Sequence, residues 1–191
     1  MFEVGWRRWL RSVWRSIKAG HKPGEERARL PRHLRLLVEV LEDRVTPSVF
    51  IDLASFTGSN GSSPYAGVVE DGSGNLFGTT EVGGSGYGTV FEWVKSAGTL
   101  SVLASFSGGN GANPYAGLVE DTSGNLFGTT AYGGSGFNGL PSSGAGTIFE
   151  WVQSAGTLSV LASFTGSNGE EPKAGLVQDT SGNLFGSRPW S

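Results

Sequence analysis

Three short strings in this sequence hold oxygen ligands at the close spacing a hard cation would use. Asp71-Gly72-Ser73-Gly74-Asn75 recurs as Asp121 to Asn125 and again as Asp179 to Asn183. A carboxylate and an amide on a tight glycine turn are groups from which a calcium loop is built, so Asp71, Asn75, Asp121, Asn125, Asp179 and Asn183 are candidate metal ligands. The extra carboxylates and the bidentate Glu of an EF-hand are absent. The same residues are also ordinary hairpin chemistry, because glycine accepts positive φ and Asp and Asn bond their own backbone. A turn is therefore the expected role, with calcium the alternative and no other cofactor implied.

Two carboxylates, Glu92 and Glu150, sit between aromatics in the copied string Phe-Glu-Trp-Val. Paired carboxylates cleave glycosides, but such a pair needs two different environments to separate its pKa values, and copies of one string supply one environment twice. Both histidines, His21 and His33, lie near the N-terminus, so the many serines farther on have no imidazole partner. Zero cysteines exclude thiolate chemistry and disulfides. The chain is thus not expected to be an enzyme; a remnant of a propeller hydrolase or lyase is the catalytic alternative.

Aromatic residues on loops offer binding instead. Tyr65 and Tyr115 follow Pro64 and Pro114, while Tyr87, Tyr132 and Phe137 flank glycine-rich stretches. Rings held on loops of a rigid scaffold can stack on sugars, although packing between units is at least as good a use for them and the favoured one. The candidate ligand-binding residues are Tyr65, Tyr115, Tyr132, Phe137 and Asn138.

What must position them is a tandem repeat. Leu-Ala-Ser-Phe occurs at 53–56, 103–106 and 161–164, and Gly-Asn-Leu-Phe-Gly at 74–78, 124–128 and 182–186, giving spacings of 50 and then 58. Phe-Glu-Trp-Val, at 91–94 and 149–152, repeats the 58 and places an eight-residue insertion around Phe137 to Ala145. Within one copy the pattern predicts four short strands: 117–121, 125–130 after a Thr122-Ser123-Gly124 turn, 147–152, and 157–164 after a Gln153–Gly156 turn. In the last of these Leu158, Val160, Ala162 and Phe164 share a face by the period of two. Trp93 and Trp151 are expected in the core. The fold class is therefore all-β: tandem four-stranded antiparallel blades, propeller-like, about 2.5 of them. The predicted layout is a leading strand at 48–56, units at about 57–106 and 107–164, and a partial unit over 165–191. Propellers need four to eight blades to close, so the ring is expected to be incomplete or open. Truncation is the favoured cause, a truncated fragment without independent function being the other alternative reading, and the open sheet edges invite self-association.

The first 50 residues are different. They carry a net charge of +5 against −8 for the remainder, which also holds 29 of the 32 glycines. Trp6, Leu10, Val13, Trp14 and Ile17 recur at helical spacing among Arg and Lys, so the 1–47 segment is expected to be a basic amphipathic leader able to lie on an anionic membrane surface. It has neither the roughly 18 apolar residues of a membrane span nor the h-region of an ordinary secretory signal. Nucleic acid is not an expected partner for a body this acidic.

Two resemblances extend these readings. Leu41-Glu42-Asp43-Arg44-Val45-Thr46-Pro47-Ser48, preceded by Arg-rich sequence, resembles the leader of planctomycete-type exported and surface proteins. The strings Asn-Pro-Tyr-Ala-Gly-Leu-Val-Glu-Asp-x-Ser-Gly-Asn-Leu-Phe-Gly-Thr-Thr and Gly-Thr-(Val/Ile)-Phe-Glu-Trp resemble the GloVer tandem repeat, with a unit length like that of a kelch blade. Together they imply an exported, extracellular or cell-surface scaffold whose loops contact glycans or surface proteins, and they bring no catalytic residues.

Overall fold

The structure, a computed structural model, describes residues 51–187. These all lie in one compact unit, Val49–Ser191; the leader, its expected helix and its Leu41–Ser48 motif lie outside the described residues. The described chain is all-β. Strands β1 (Val69–Glu70), β2 (Leu76–Thr80), β3 (Thr89–Val94) and β4 (Thr99–Ser105) form one four-stranded sheet. A second is formed by β5 (Val119–Glu120), β6 (Leu126–Thr130), β7 (Thr147–Val152) and β8 (Thr157–Ser163), and β9 (Leu176–Gln178) and β10 (Leu184–Gly186) make a final pair. Spatial order follows chain order and every pairing is antiparallel, so each unit is a simple meander.

Local chemistry sets the strand limits. In the first turn the Asp71 carboxylate accepts hydrogen bonds from the Ser73 and Asn75 backbone amides, at 2.8 and 2.9 Å, and from the Asn75 side-chain amide at 2.8 Å. Asn75 in turn accepts from the Lys95 backbone across the sheet. Because these groups are committed to the turn, the first strands are only two residues long rather than the five predicted over 117–121. The second strand starts at Leu126 and not Asn125.

Two expectations are corrected. Residues 51–56, the described part of the predicted leading strand, form no strand. Their counterparts in β4 and β8 pair with Phe-Glu-Trp-Val, and no copy of that string precedes residue 51; a strand without a ladder partner has no reason to be one. The uniform alternation expected along 157–164 is also interrupted. Ile148 pairs with Ala162 but Phe149 with Val160, which leaves Leu161 as the extra residue of a bulge, and the same irregularity falls at Val90/Phe91 in the first sheet.

The core lies between units. Along β6, Leu126, Gly128 and Thr130 point one way and Phe127 and Thr129 the other. Thr129 Oγ1 donates to the Ala174 carbonyl of the following unit, as Thr79 does to Ala116, both at 3.2 Å. We call this the trailing face and its opposite the leading face. The main cluster joins Phe77 and Val90 of the first unit, Phe106 of the connection, and Leu118, Leu126, Phe149 and Trp151 of the second. Phe106 meets Phe149 edge-on at 5.0 Å, repeating the contact of Phe56 with Phe91. Trp151 is buried as expected and Trp93 half-buried, and the indole N–H of each lacks a hydrogen-bond partner.

A buried threonine pair closes each four-stranded sheet beside its long loop. Thr80 and Thr89 hydroxyls lie 2.7 Å apart, Thr130 and Thr147 2.8 Å. The chain passes over the second pair at Gly111, whose φ is +127°; a Cβ there would stand 2.7 Å from Thr130 Oγ1 and 2.8 Å from Thr147 Oγ1. Only glycine meets both demands.

Candidate functional site

Each connection between units begins with a glycine clip, Gly58–Gly61, Gly108–Gly111 and Gly166–Gly169, tied by reciprocal backbone hydrogen bonds. Two residues on, Ser63, Asn113 and Glu171 adopt left-handed backbone with φ of 58°, 55° and 45°. Such a conformation is unusual for a side-chain-bearing residue, and after Asn113 and Glu171 it turns the following proline back onto the preceding unit. Pro114 is fully buried; it would lie 2.7 Å from a Cβ on Gly88, and Pro172 meets Gly146 in the same way.

The residue after each proline is thereby held at the rim, one per unit: Tyr65, Tyr115 and Lys173. Tyr65 and Tyr115 ring centroids are 5.7 Å apart, and the Lys173 ammonium lies 5.9 Å from the centroid of Tyr115. Two carboxylates flank the row. Glu81 accepts the Tyr115 hydroxyl at 2.7 Å, and Glu171 pairs with Lys173 at 2.8 Å. That bond to Glu81, together with burial, pushes the Tyr115 phenol up to about 12. The Lys173 hydrogen bond holds Glu171 below its ordinary value against a smaller upward pull from burial, and Glu171 raises Lys173 reciprocally. Tyr65 is 67% exposed, so one face of the row is open to solvent.

Beside the row is a cleft of about 340 Å³, lined by Tyr132, Ser135, Ser142, Thr165, Glu170 and Glu171 among others. The inserted loop supplies one wall through Ser142, Gly144 and Ala145. Hydroxyls, carboxylates and aromatic faces converge here, a set suited to a polyhydroxylated ligand.

Of the candidate binding residues, Tyr65, Tyr115 and Tyr132 are brought to this rim. Phe137 has a different position: its ring meets Tyr87 at 5.3 Å and 90° and covers Gly108, so it packs the inserted loop onto the first unit. Asn138 is exposed and accepts from the Leu140 amide within its own loop. Glu81, Glu170, Glu171 and Lys173 were not anticipated. Lys173 was findable, because it stands where the other copies have Tyr after Pro; nothing local marked Glu81.

The six turn ligands stay in three separate hairpins. In each, both Asp oxygens are engaged by the turn's own N–H groups, with Asp121 and Asp179 repeating the Asp71 contacts. For Asp71 burial pulls upward, yet the hydrogen bonds from Asn75, Ser73 and Gly74 together hold the carboxyl below its ordinary value; for Asp179 the Asn183 side chain is the largest cause of the same shift. Glu92 lies between Phe77 and Ser101 in register, and burial, then the charge of Asp71, raises its carboxyl. Glu150 holds the matching place between Phe127 and Ser159.

Successive antiparallel meanders joined by glycine clips define a tandem β-repeat protein. The family model of the Gloeobacter/Verrucomicrobia repeat matches residues 44–189, and the chain belongs to that family. No curated protein matches the sequence.

Proposed function

We propose that this chain is a non-catalytic, exported or cell-surface scaffold that binds glycans through its rim, with protein surfaces as the other class of partner. The observation that carries the reading is the Tyr65–Tyr115–Lys173 row, one residue from each successive unit, open to solvent and beside the cleft that the inserted loop completes. Stacked rings supply apolar faces for sugars, and Glu81, Glu170 and Glu171 supply acceptors for hydroxyl groups. The arrangement suits neutral or basic saccharides, because three carboxylates face a single lysine there.

Export rests on the resemblance of the leader and on the separation of a basic segment from an acidic body, with the leader contacting the membrane surface on the way. Blade geometry of the kelch kind is supported by the four-stranded meanders and by connections that carry each chain end to the next sheet. The Asp turns are read as structural, since their carboxylates are already occupied by N–H donors, and no cofactor is required. Screening the full chain against a saccharide array, followed by titration of a bound sugar into Tyr65→Ala, tests the reading. The substitution should weaken binding at least tenfold while leaving the β-sheet spectrum intact. Binding that is absent throughout, or unaltered by Tyr65→Ala, would overturn it.

A further inference from the structure

The junction between the first two units shows what each face of a unit needs. On the trailing side Phe77 and Val90 enter the contact and Thr79 donates to Ala116; on the leading side Leu118, Leu126 and Phe149 receive them. At the two ends of the described stack the outer positions of these faces are open, while Phe91, under Phe56, stays buried at 5% exposure. Val68, which corresponds to Leu118, is 52% exposed where Leu118 is 9% exposed. Around it lies an apolar cleft of about 410 Å³ whose floor includes Leu76, Phe91 and Trp93, the counterparts of Leu126, Phe149 and Trp151, and whose side is formed by Ile51, Leu53 and Phe56 of the preceding segment. At the other end Phe185 is 58% exposed, against 5% for Phe77 and 7% for Phe127 at the matching positions. Val177 beside it is also open, at 66%.

We propose that the leading face is the docking site for the trailing face of a second copy of this chain. The two ends display complementary halves of a junction the chain already makes internally, so the contact continues an established interface. The polar detail is retained too: Ser187 keeps a hydroxyl at the place of Thr79 and Thr129, and Ala66 holds the place of their acceptors Ala116 and Ala174. Phe56, seated on Phe91, already supplies the aromatic wedge that Phe106 provides inside. Large exposed apolar side chains grouped on a sheet face mark a contact surface. Because the two faces differ, the association is head-to-tail and leads to a ring or an open chain of copies. The final pair β9–β10 brings two strands where an internal unit brings four, so this contact is weaker than the internal one.

The test is sedimentation of the full chain over a hundredfold range of concentration, with Val68→Glu and Phe185→Glu as single variants. Both substitutions are at exposed positions. The wild type should grow in mass with concentration, and each variant alone should stay a monomer. An equimolar mixture of the two should form a species of twice the monomer mass and nothing larger, since each variant keeps the face the other lacks; this result also shows that both are folded. A wild type that is monomeric throughout, its faces covered by its own residues, would overturn the proposal. So would a mixture that stays monomeric. Self-association of Phe185→Glu alone would show that leading faces pair with one another, and wild-type behaviour in both variants would place the contact at the sheet edges; either result refutes it.

Discussion

The threonine pair at the end of the second sheet gives a prediction whose magnitude follows from where two protons are. Thr130 Oγ1 accepts from the Thr147 amide at 3.1 Å and donates its own proton to the Tyr132 carbonyl at 2.9 Å. With that proton on the Tyr132 carbonyl, Thr147 is the donor in the 2.8 Å contact between the hydroxyls. Thr130→Val removes the centre of this arrangement. The Tyr132 carbonyl keeps its bond from the Ala112 amide, and the Thr147 hydroxyl can turn to the Asn110 carbonyl, 3.4 Å away. The Thr147 N–H, at a residue with no solvent exposure, also loses its side-chain acceptor. Thr130→Val thus removes three hydrogen bonds, each contributing about 0.5–1.5 kcal/mol net and less where a shared partner remains. Thr147→Val removes one donor and strands nothing, because Thr130 still accepts from the amide and still donates to Tyr132; its cost is about 1 kcal/mol or less. At roughly 3 °C per kcal/mol for a folded region of this size, Thr130→Val should lower Tm by about 6 °C and Thr147→Val by about 3 °C. Thermal unfolding of both variants measures the difference. Hydrogen exchange at the residue 147 amide should be accelerated in Thr130→Val and much less so in Thr147→Val. Equal losses, or a greater loss from Thr147→Val, would mean that the protons run the other way and that the amide is not the decisive group.

Three further outcomes are expected. Phe106→Ala should cost about 3–5 kcal/mol, the range for emptying a buried phenylalanine site. Phe164→Ala, at a half-buried residue lining an open cleft of about 290 Å³, should cost no more than about half as much; equal denaturation midpoints would show that the junction does not hold the units together. Ultraviolet titration of the phenols should show Tyr115 ionising only at about 12, and Glu81→Gln should return it toward the ordinary value near 10. An unmoved late ionisation would remove Glu81 as the cause. Glu92 is raised by burial and by Asp71, so its contribution to stability is greatest when it is protonated and is lost as pH rises through its folded pKa. Glu92→Gln should accordingly raise Tm at pH 7 and have little effect at pH 3, and a destabilised variant at pH 7 would contradict that sign.

The strands were legible because two independent signals coincided: the alternation of apolar residues and the glycine turns that bound them. Thr147–Val152 falls where the pattern put it, since both ends are marked. Residues 51–56 show the limit. They repeat Leu-Ala-Ser-Phe, but the string specifies half of a ladder, and the other half is a neighbour the described chain does not bring. The bulge at Leu161 was equally hidden, because an added residue in one strand is visible only from the register of its partner. Phe56, Phe106 and Phe164 make the point with one residue type at one position. Phe106 is fully buried, whereas the other two are half-buried, according to the unit that lies beyond them.

The copies also differ in an ordered way. β2 and β6 are both Leu-Phe-Gly-Thr-Thr, and β4 and β8 are both Thr-Leu-Ser-Val-Leu-Ala-Ser. Their side chains meet one another inside and between sheets, so a change in one copy would have to be matched in the next. The rim carries no such constraint. There Glu81 is replaced by Ala131, Val82 by Tyr132 and Tyr115 by Lys173, and there the eight-residue insertion enters. These changes of chemical type at the rim, against conservative ones such as Val90 to Ile148 in the core, make the Tyr65–Tyr115–Lys173 row and its cleft a local surface and not one copy of a repeated one. A ligand that recognised the repeat itself would engage each unit equally. One that depends on Tyr65, Tyr132 and the inserted loop would bind once per chain, and the stoichiometry of a bound saccharide distinguishes the two.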